Sequence, residues 1–200
     1  MTYIIVIALL CGIFSGHFIL PESVIQNLDK LTSFALNLLI LSVGIDLGFN
    51  KEVFYNIKKL GFRIILVPIS IIVGSLAGGV FAGLIYKMPL NQSLSIAAGF
   101  GWYSLSGIII TNLGNVEAGT IAFLSNVFRE LLAVLTIPII ARRLNYITAI
   151  APAGATSMDT TLPLISESTD SKTVVVSFIN GALLSSIVPI LVPLLYGIKF

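Results

Sequence analysis

The sequence predicts an all-α integral membrane protein, in which five transmembrane helices are joined by two opposed broken, re-entrant segments arranged as an inverted repeat. Three observations predict it. Hydrophobic residues make up 56% of the 200 residues and charged residues only 10%, whereas a globular domain carries roughly 25% charged residues. Five stretches stay apolar over the about 20 residues that a helix needs to cross a bilayer. Two further apolar stretches are interrupted in the middle by Gly, Pro, Ser and Thr. Bare backbone at membrane depth is tolerated only where protein buries it or where it lines a wet cavity.

The elements follow in order. Residues 2–20 are apolar throughout and carry no basic n-region. They read as a retained first helix rather than a signal peptide. The second crossing is 31–48, with Asp46 near its end as a boundary charge, and the third is 63–86. The fourth, 120–141, contains Arg129 and Glu130, and the fifth is 174–198. The broken segments are 93–115 (SLSIAAGFGWYSLSGIIITNLGN) and 148–168 (TAIAPAGATSMDTTLPLISES).

Charge sets the topology. Lys51, Lys58, Lys59 and Arg63 follow the second crossing, and cytoplasmic loops are the ones enriched in Lys and Arg. The N-terminus is then cytoplasmic. If 93–115 dips in and returns to the outside, Arg142 and Arg143 also fall in the cytoplasm. The same logic makes 148–168 a dip from the cytoplasmic side, with Lys172 inside and the C-terminus external. Seven basic residues (51, 58, 59, 63, 142, 143, 172) are then inside and three (30, 87, 199) outside. Opposed broken segments in corresponding positions mark the binding site of many secondary transporters.

Several classes of chemistry are excluded. A net charge of +2, with no basic cluster alternating with aromatics, excludes nucleic acid as a partner. Cys11 and His17 are the single cysteine and histidine, so an intrachain disulfide, a CxxC site and a multi-histidine zinc site are absent. No P-loop is present, so ATP is not the direct energy source. His17, near the outer end of the first helix, reads as interfacial. No metal or organic cofactor is expected, only a proton gradient.

The candidate binding residues are polar groups placed inside apolar segments. Glu130 is roughly eleven residues from either end of its helix, about 16 Å deep, which is the bilayer midplane. A carboxylate there costs about 2.5–3.5 kcal/mol on insertion scales, and intramembrane ionisable residues are functional by default. Asn126 lies one turn before it on the same face. The bland alternative is that Arg129 and Glu130 neutralise each other. Asp159 lies in the second break, beside the hydroxyls of Ser157 and Thr160 and the small residues Gly154 and Ala155; unwound carbonyls and hydroxyls there suit a cation, although an Asp also caps half-helices. Trp102, Tyr103 and Ser104 sit in the first break, where the aromatic pair either anchors at the interface or lines a substrate path by cation–π contact. Asn180 on the last helix is a binding group or helix-packing glue.

Four segments carry a resemblance: GFGWYSLSG (99–107), RELLAVLTIPIIARR (129–143), GATSMDTTLPLI (154–165) and VPILVP (188–193). They are similar to the bacterial lysine exporter family LysO over essentially the whole chain. The resemblance implies export of L-lysine and its toxic analogues across the inner (plasma) membrane. It also implies dependence on a pair of intramembrane acidic residues, which motif matching puts at Glu130 and Asp159. Longer members carry an additional N-terminal block, so the chain is expected to work as a homodimer or with a separate small membrane subunit. Coupling to inward protons is the expected energy source. The rival readings are a non-transporting membrane subunit that requires a partner for activity and, last, an intramembrane enzyme. No convincing nucleophile–base arrangement supports the enzyme, so none is expected.

Overall fold

A computed structural model describes residues 63–198 continuously, together with residues 7, 11, 12, 14–16, 18, 20, 21, 27, 34, 38, 41 and 45. The expected crossings 2–20 and 31–48 lie largely outside the described residues, as do His17, Asp46 and the basic loop before Arg63. Every regular element among the described residues is helical. Among the described residues, three helices are long and apolar enough to cross a membrane: α1 (Arg63–Tyr86), α4 (Val116–Arg143) and α6 (Ser171–Gly197). Between them lie α2 (Leu90–Ala97) and α3 (Tyr103–Asn112), then two short 3-10 turns, Thr148–Ile150 and Gly154–Met158, and α5 (Leu162–Ser168).

α1 spans the expected 63–86, whereas α4 and α6 start earlier than hydrophobicity alone suggests, because polar caps precede their apolar runs. The Asn115 side chain accepts from the Ala118 N–H (2.9 Å), so α4 opens at Val116 rather than 120. Asp170 accepts from the Thr173 N–H (2.8 Å), so α6 opens at Ser171 rather than 174. A cap of this kind satisfies one orphan donor of the first turn. Arg142 and Arg143 close α4, where cations complement the helix dipole. Leu66, Val73, Phe81, Phe128 and Leu132 are exposed on the long helices, an apolar exterior suited to lipid.

The first broken segment leaves and returns at one end of the bundle. α2 runs back along α1: a Cβ on Gly79 would lie 2.6 Å from the Ala97 Cβ, and one on Gly83 would overlap Ser93. The chain then turns at 98–102. α3 returns along the start of α4, where a Cβ on Gly107 would lie 3.1 Å from the Gly119 carbonyl and the Phe123 Cβ. α1 ends and α4 begins at this same end, since Arg129 donates to the Ser75 Oγ (2.9 Å) while residues 78, 79, 82, 121 and 125 border one cavity.

The second segment enters from the other end. Ala149, Ala153 and Ile165 pack with Ala133, Ile137 and Ala141 of α4 in one apolar cluster. α6 then runs the full height, and near its end the Ser95 Oγ donates to the Val192 carbonyl (2.9 Å) and the Asn91 Nδ2 to the Tyr196 carbonyl (2.9 Å).

The two tips meet in the middle. The Ala155 N–H donates to the Phe100 carbonyl (2.8 Å). Gly101 (φ 100°) and Gly154 (φ 61°) are left-handed at this junction, and so is Phe100 (φ 46°), which is fully buried. A Cβ on Gly154 would overlap the Phe100 carbonyl, and one on Gly101 would come within 3.1 Å of the Ala153 carbonyl. Only glycine gives both the backbone conformation and the clearance. Gly154→Ala is therefore expected to lower the thermal unfolding temperature of the purified protein by several degrees, whereas Gly74→Ala, where a Cβ meets nothing within 4 Å, leaves it unchanged or raises it. Equal melting curves for the two variants would refute the close approach of the tips.

Candidate functional site

Three polar residues of α4 face the junction. Asn126, Arg129 and Glu130 are three and four residues apart, so they share one side of the helix across little more than a turn. Each reaches a different part of the broken segments.

Asn126 holds the first tip. Its Oδ1 accepts from the Gly101 N–H (2.7 Å), and its Nδ2 donates to the Ala122 carbonyl (2.9 Å), the Ser106 Oγ (3.3 Å) and the Ile96 carbonyl (3.4 Å). Ser106 in turn donates to the Trp102 carbonyl (2.9 Å). A Cβ at Gly99 would stand 2.5 Å from the Asn126 Nδ2, so glycine there is what admits the amide.

Arg129 holds the second segment. Its Nε donates to the Pro152 carbonyl (3.1 Å), one terminal nitrogen to the Ala151 carbonyl (3.3 Å) and the other to the Ser75 Oγ (2.9 Å). It makes no ion pair with Glu130; neighbours in a helix point about 100° apart. The carbonyls it serves belong to an unwound stretch without intrahelical donors.

Glu130 and Asp159 come together through Thr160. The Thr160 hydroxyl donates to the Glu130 carboxylate, and the same oxygen lies 3.4 Å from the Asp159 Oδ1. The Thr160 N–H donates to the Asp159 Oδ1 (2.6 Å). Both carboxyl groups are half-buried. Two acidic groups distant in sequence thus share one hydroxyl at the tip of the second segment. Such a pair can hold a proton, an ammonium group or another small cation.

Asn180 on α6 does for the second tip what Asn126 does for the first. Its Nδ2 donates to the Gly154 carbonyl (3.1 Å) and the Ser157 Oγ (3.0 Å). Ser157 and Ser177 donate reciprocally to each other's carbonyls (2.9 and 2.8 Å). Asn126 lies 25 residues after Gly101, and Asn180 lies 26 after Gly154. The Asn180 Oδ1 is buried and has no partner among the described residues.

The aromatic part of the first break lies elsewhere. Tyr103 stacks edge-on against Phe123 at 5.5 Å between ring centroids. Ser104 lines a cavity of about 400 Å³ with Gly107, Thr111 and Phe123, which neither carboxylate borders. Trp102 packs against the apolar core. The structure thus gathers Glu130, Asp159 and Thr160 at one point, places Asn126, Asn180 and Ser157 as braces around it, and sets Tyr103 and Ser104 apart. Among the described residues no cluster of three or more His, Cys, Asp or Glu side chains could hold a metal. Ser75, the α1 partner of Arg129, has no signal in the sequence beyond being a small polar residue in an apolar helix.

The family model of the lysine exporter LysO matches residues 6–196. The chain belongs to the lysine exporter LysO family. The lysine exporter LysO of Escherichia coli (strain K12) is 37% identical over 186 residues, which is 92% of this chain and 62% of that protein. A relative from Haemophilus influenzae is 39% identical over 139 residues, 68% of each. The chain thus spans about 62% of the length of its Escherichia coli LysO relative. No solved structure is significantly similar.

For this LysO member, Asn126→Ala is expected to cost about 1–3 kcal/mol of stability, because it strands the buried Gly101 N–H. Denaturant or thermal unfolding of purified protein measures it. A loss below about 0.5 kcal/mol would show that the first tip does not depend on this amide.

Proposed function

We propose that this chain is the core of a secondary-active exporter that moves L-lysine, and its toxic analogues, out of the cytoplasm in exchange for protons. The observation that carries the proposal is the Glu130–Thr160–Asp159 cluster at the meeting point of two broken segments that enter from opposite ends. Membership of the LysO family supports lysine as the cargo. A carboxylate pair binds either protons or an ammonium group, so the two guests compete for one site. Coupling answers a physical need: an interior-negative potential opposes export of a cation by about 2.3 kcal/mol per 100 mV. Exchange of one lysinium for one proton cancels that opposition, and a second proton turns it into a drive.

The halves of the bundle are related as an inverted repeat, each half being a long helix followed by a broken segment: α1 with 93–115, and α4 with 148–168. Rocking of one half against the other would expose the site to each side in turn. In the proposed orientation the N-terminus and Arg142–Arg143 are cytoplasmic, the C-terminus is external, and the host is the inner (plasma) membrane. Backbone at this depth must be shielded from lipid on all sides, which supports assembly as a homodimer or with a separate small membrane subunit.

Glu130→Gln and Asp159→Asn are each expected to reduce counterflow of labelled lysine in proteoliposomes to background, with normal amounts of protein in the membrane. Near-normal flux from either variant would remove the carboxylate pair from the mechanism. Cysteine at 130, in a Cys11→Ala background, should react with a water-soluble thiol reagent; an unreactive cysteine would favour a non-transporting subunit. Reporter fusions after Arg143 are expected to show the cytoplasmic phenotype, and an external signal there would invert the topology.

A further inference from the structure

Arg129 has donors to spare and space in front of them. Its guanidinium carries five N–H groups, and three go to the Pro152 carbonyl, the Ala151 carbonyl and the Ser75 Oγ. It lines a cavity of about 350 Å³ between α1 and α4, with Ser75, Ser125 and Asn126, and a second of about 200 Å³ that also reaches Ser75 and Ala151. No other charged residue lines either cavity among the described residues, and neither Glu130 nor Asp159 borders them. A half-buried cation that has no counter-ion among the described residues is unfavourable unless something neutralises it. Ser75 accepts from Arg129, so its own hydroxyl hydrogen remains available to the cavity.

We infer that Arg129, with Ser75, forms a subsite for the α-carboxylate of the exported amino acid, whose ammonium group goes to the Glu130–Thr160–Asp159 cluster that begins at the next residue of α4. The inference rests on the export reading and names a specificity-determining residue within it. A planar guanidinium fork matches a carboxylate in two parallel hydrogen bonds. Glu130, the next residue, repels simple anions from this region, so the pairing favours a guest with both signs of charge over a free anion. The subsite separates an amino acid from a diamine of equal length.

Competition against labelled lysine on the purified full chain, with lysine, lysinamide and cadaverine as competitors, tests this. Lysine should compete at concentrations about tenfold or more below the other two, the scale of a lost hydrogen bond to a charged group. Arg129→Gln should weaken lysine to the level of lysinamide while lysinamide stays within about twofold, and Arg129→Lys should fall between. Equal competition by all three in the unsubstituted protein overturns the subsite and leaves the export reading standing. That comparison needs no variant, so it decides even if Arg129→Gln misfolds. A uniform loss across all three competitors in a folded Arg129→Gln protein overturns it too, because it marks a role confined to bracing residues 151 and 152. Absence of lysine binding by the unsubstituted protein removes both the subsite and the export reading.

Discussion

Unwound backbone placed between helices must find hydrogen-bond partners within the protein, and the core of this bundle is organised by that requirement. Two tips with left-handed glycines meet at the Phe100 carbonyl and the Ala155 N–H. Around that contact the protein supplies one amide from α4, one amide from α6 and one guanidinium from α4. Each is aimed at backbone groups that a continuous helix would have satisfied itself. The polar residues of α4 and α6 that are costly in hydrocarbon are therefore also what makes the breaks affordable.

Much of this was readable in advance, for identifiable reasons. The breaks show because Gly, Ser and Thr interrupt otherwise apolar runs, and Glu130 and Asp159 show because charge inside such runs is rare. Hydropathy sets the starts of α4 and α6 three or four residues late because it ignores caps such as Asn115 and Asp170, which lie before the apolar run. Arg129 was harder. Adjacency to Glu130 suggests mutual neutralisation, but the two side chains point about 100° apart, and the partners of Arg129 are carbonyls more than 20 residues away. The separation of Tyr103 and Ser104 from the carboxylates was also hidden, since one break carries residues both at its tip and on the returning helix.

Two asparagines brace the two broken segments in similar ways. Asn126 and Asn180 occupy matching places, each on the long helix after a broken segment, and each donates to a serine hydroxyl and to a backbone carbonyl. They differ in what is left over. The first is satisfied at both ends, whereas the Oδ1 of the second has no donor among the described residues. The spare acceptor thus belongs to the asparagine that braces the second tip, the one that carries Asp159 and Thr160.

Thr160 has one hydroxyl hydrogen, and two carboxyl groups stand within reach of it. Geometry lets that hydrogen serve only one of them at a time. A turn about the Thr160 Cβ–Oγ1 bond would hand it from one carboxyl to the other. When the hydroxyl serves Glu130, Asp159 still accepts from the Thr160 N–H; when it turns to Asp159, Glu130 gives up that donor. The one hydroxyl therefore sets which of the two carboxyls is the more open to a further donor.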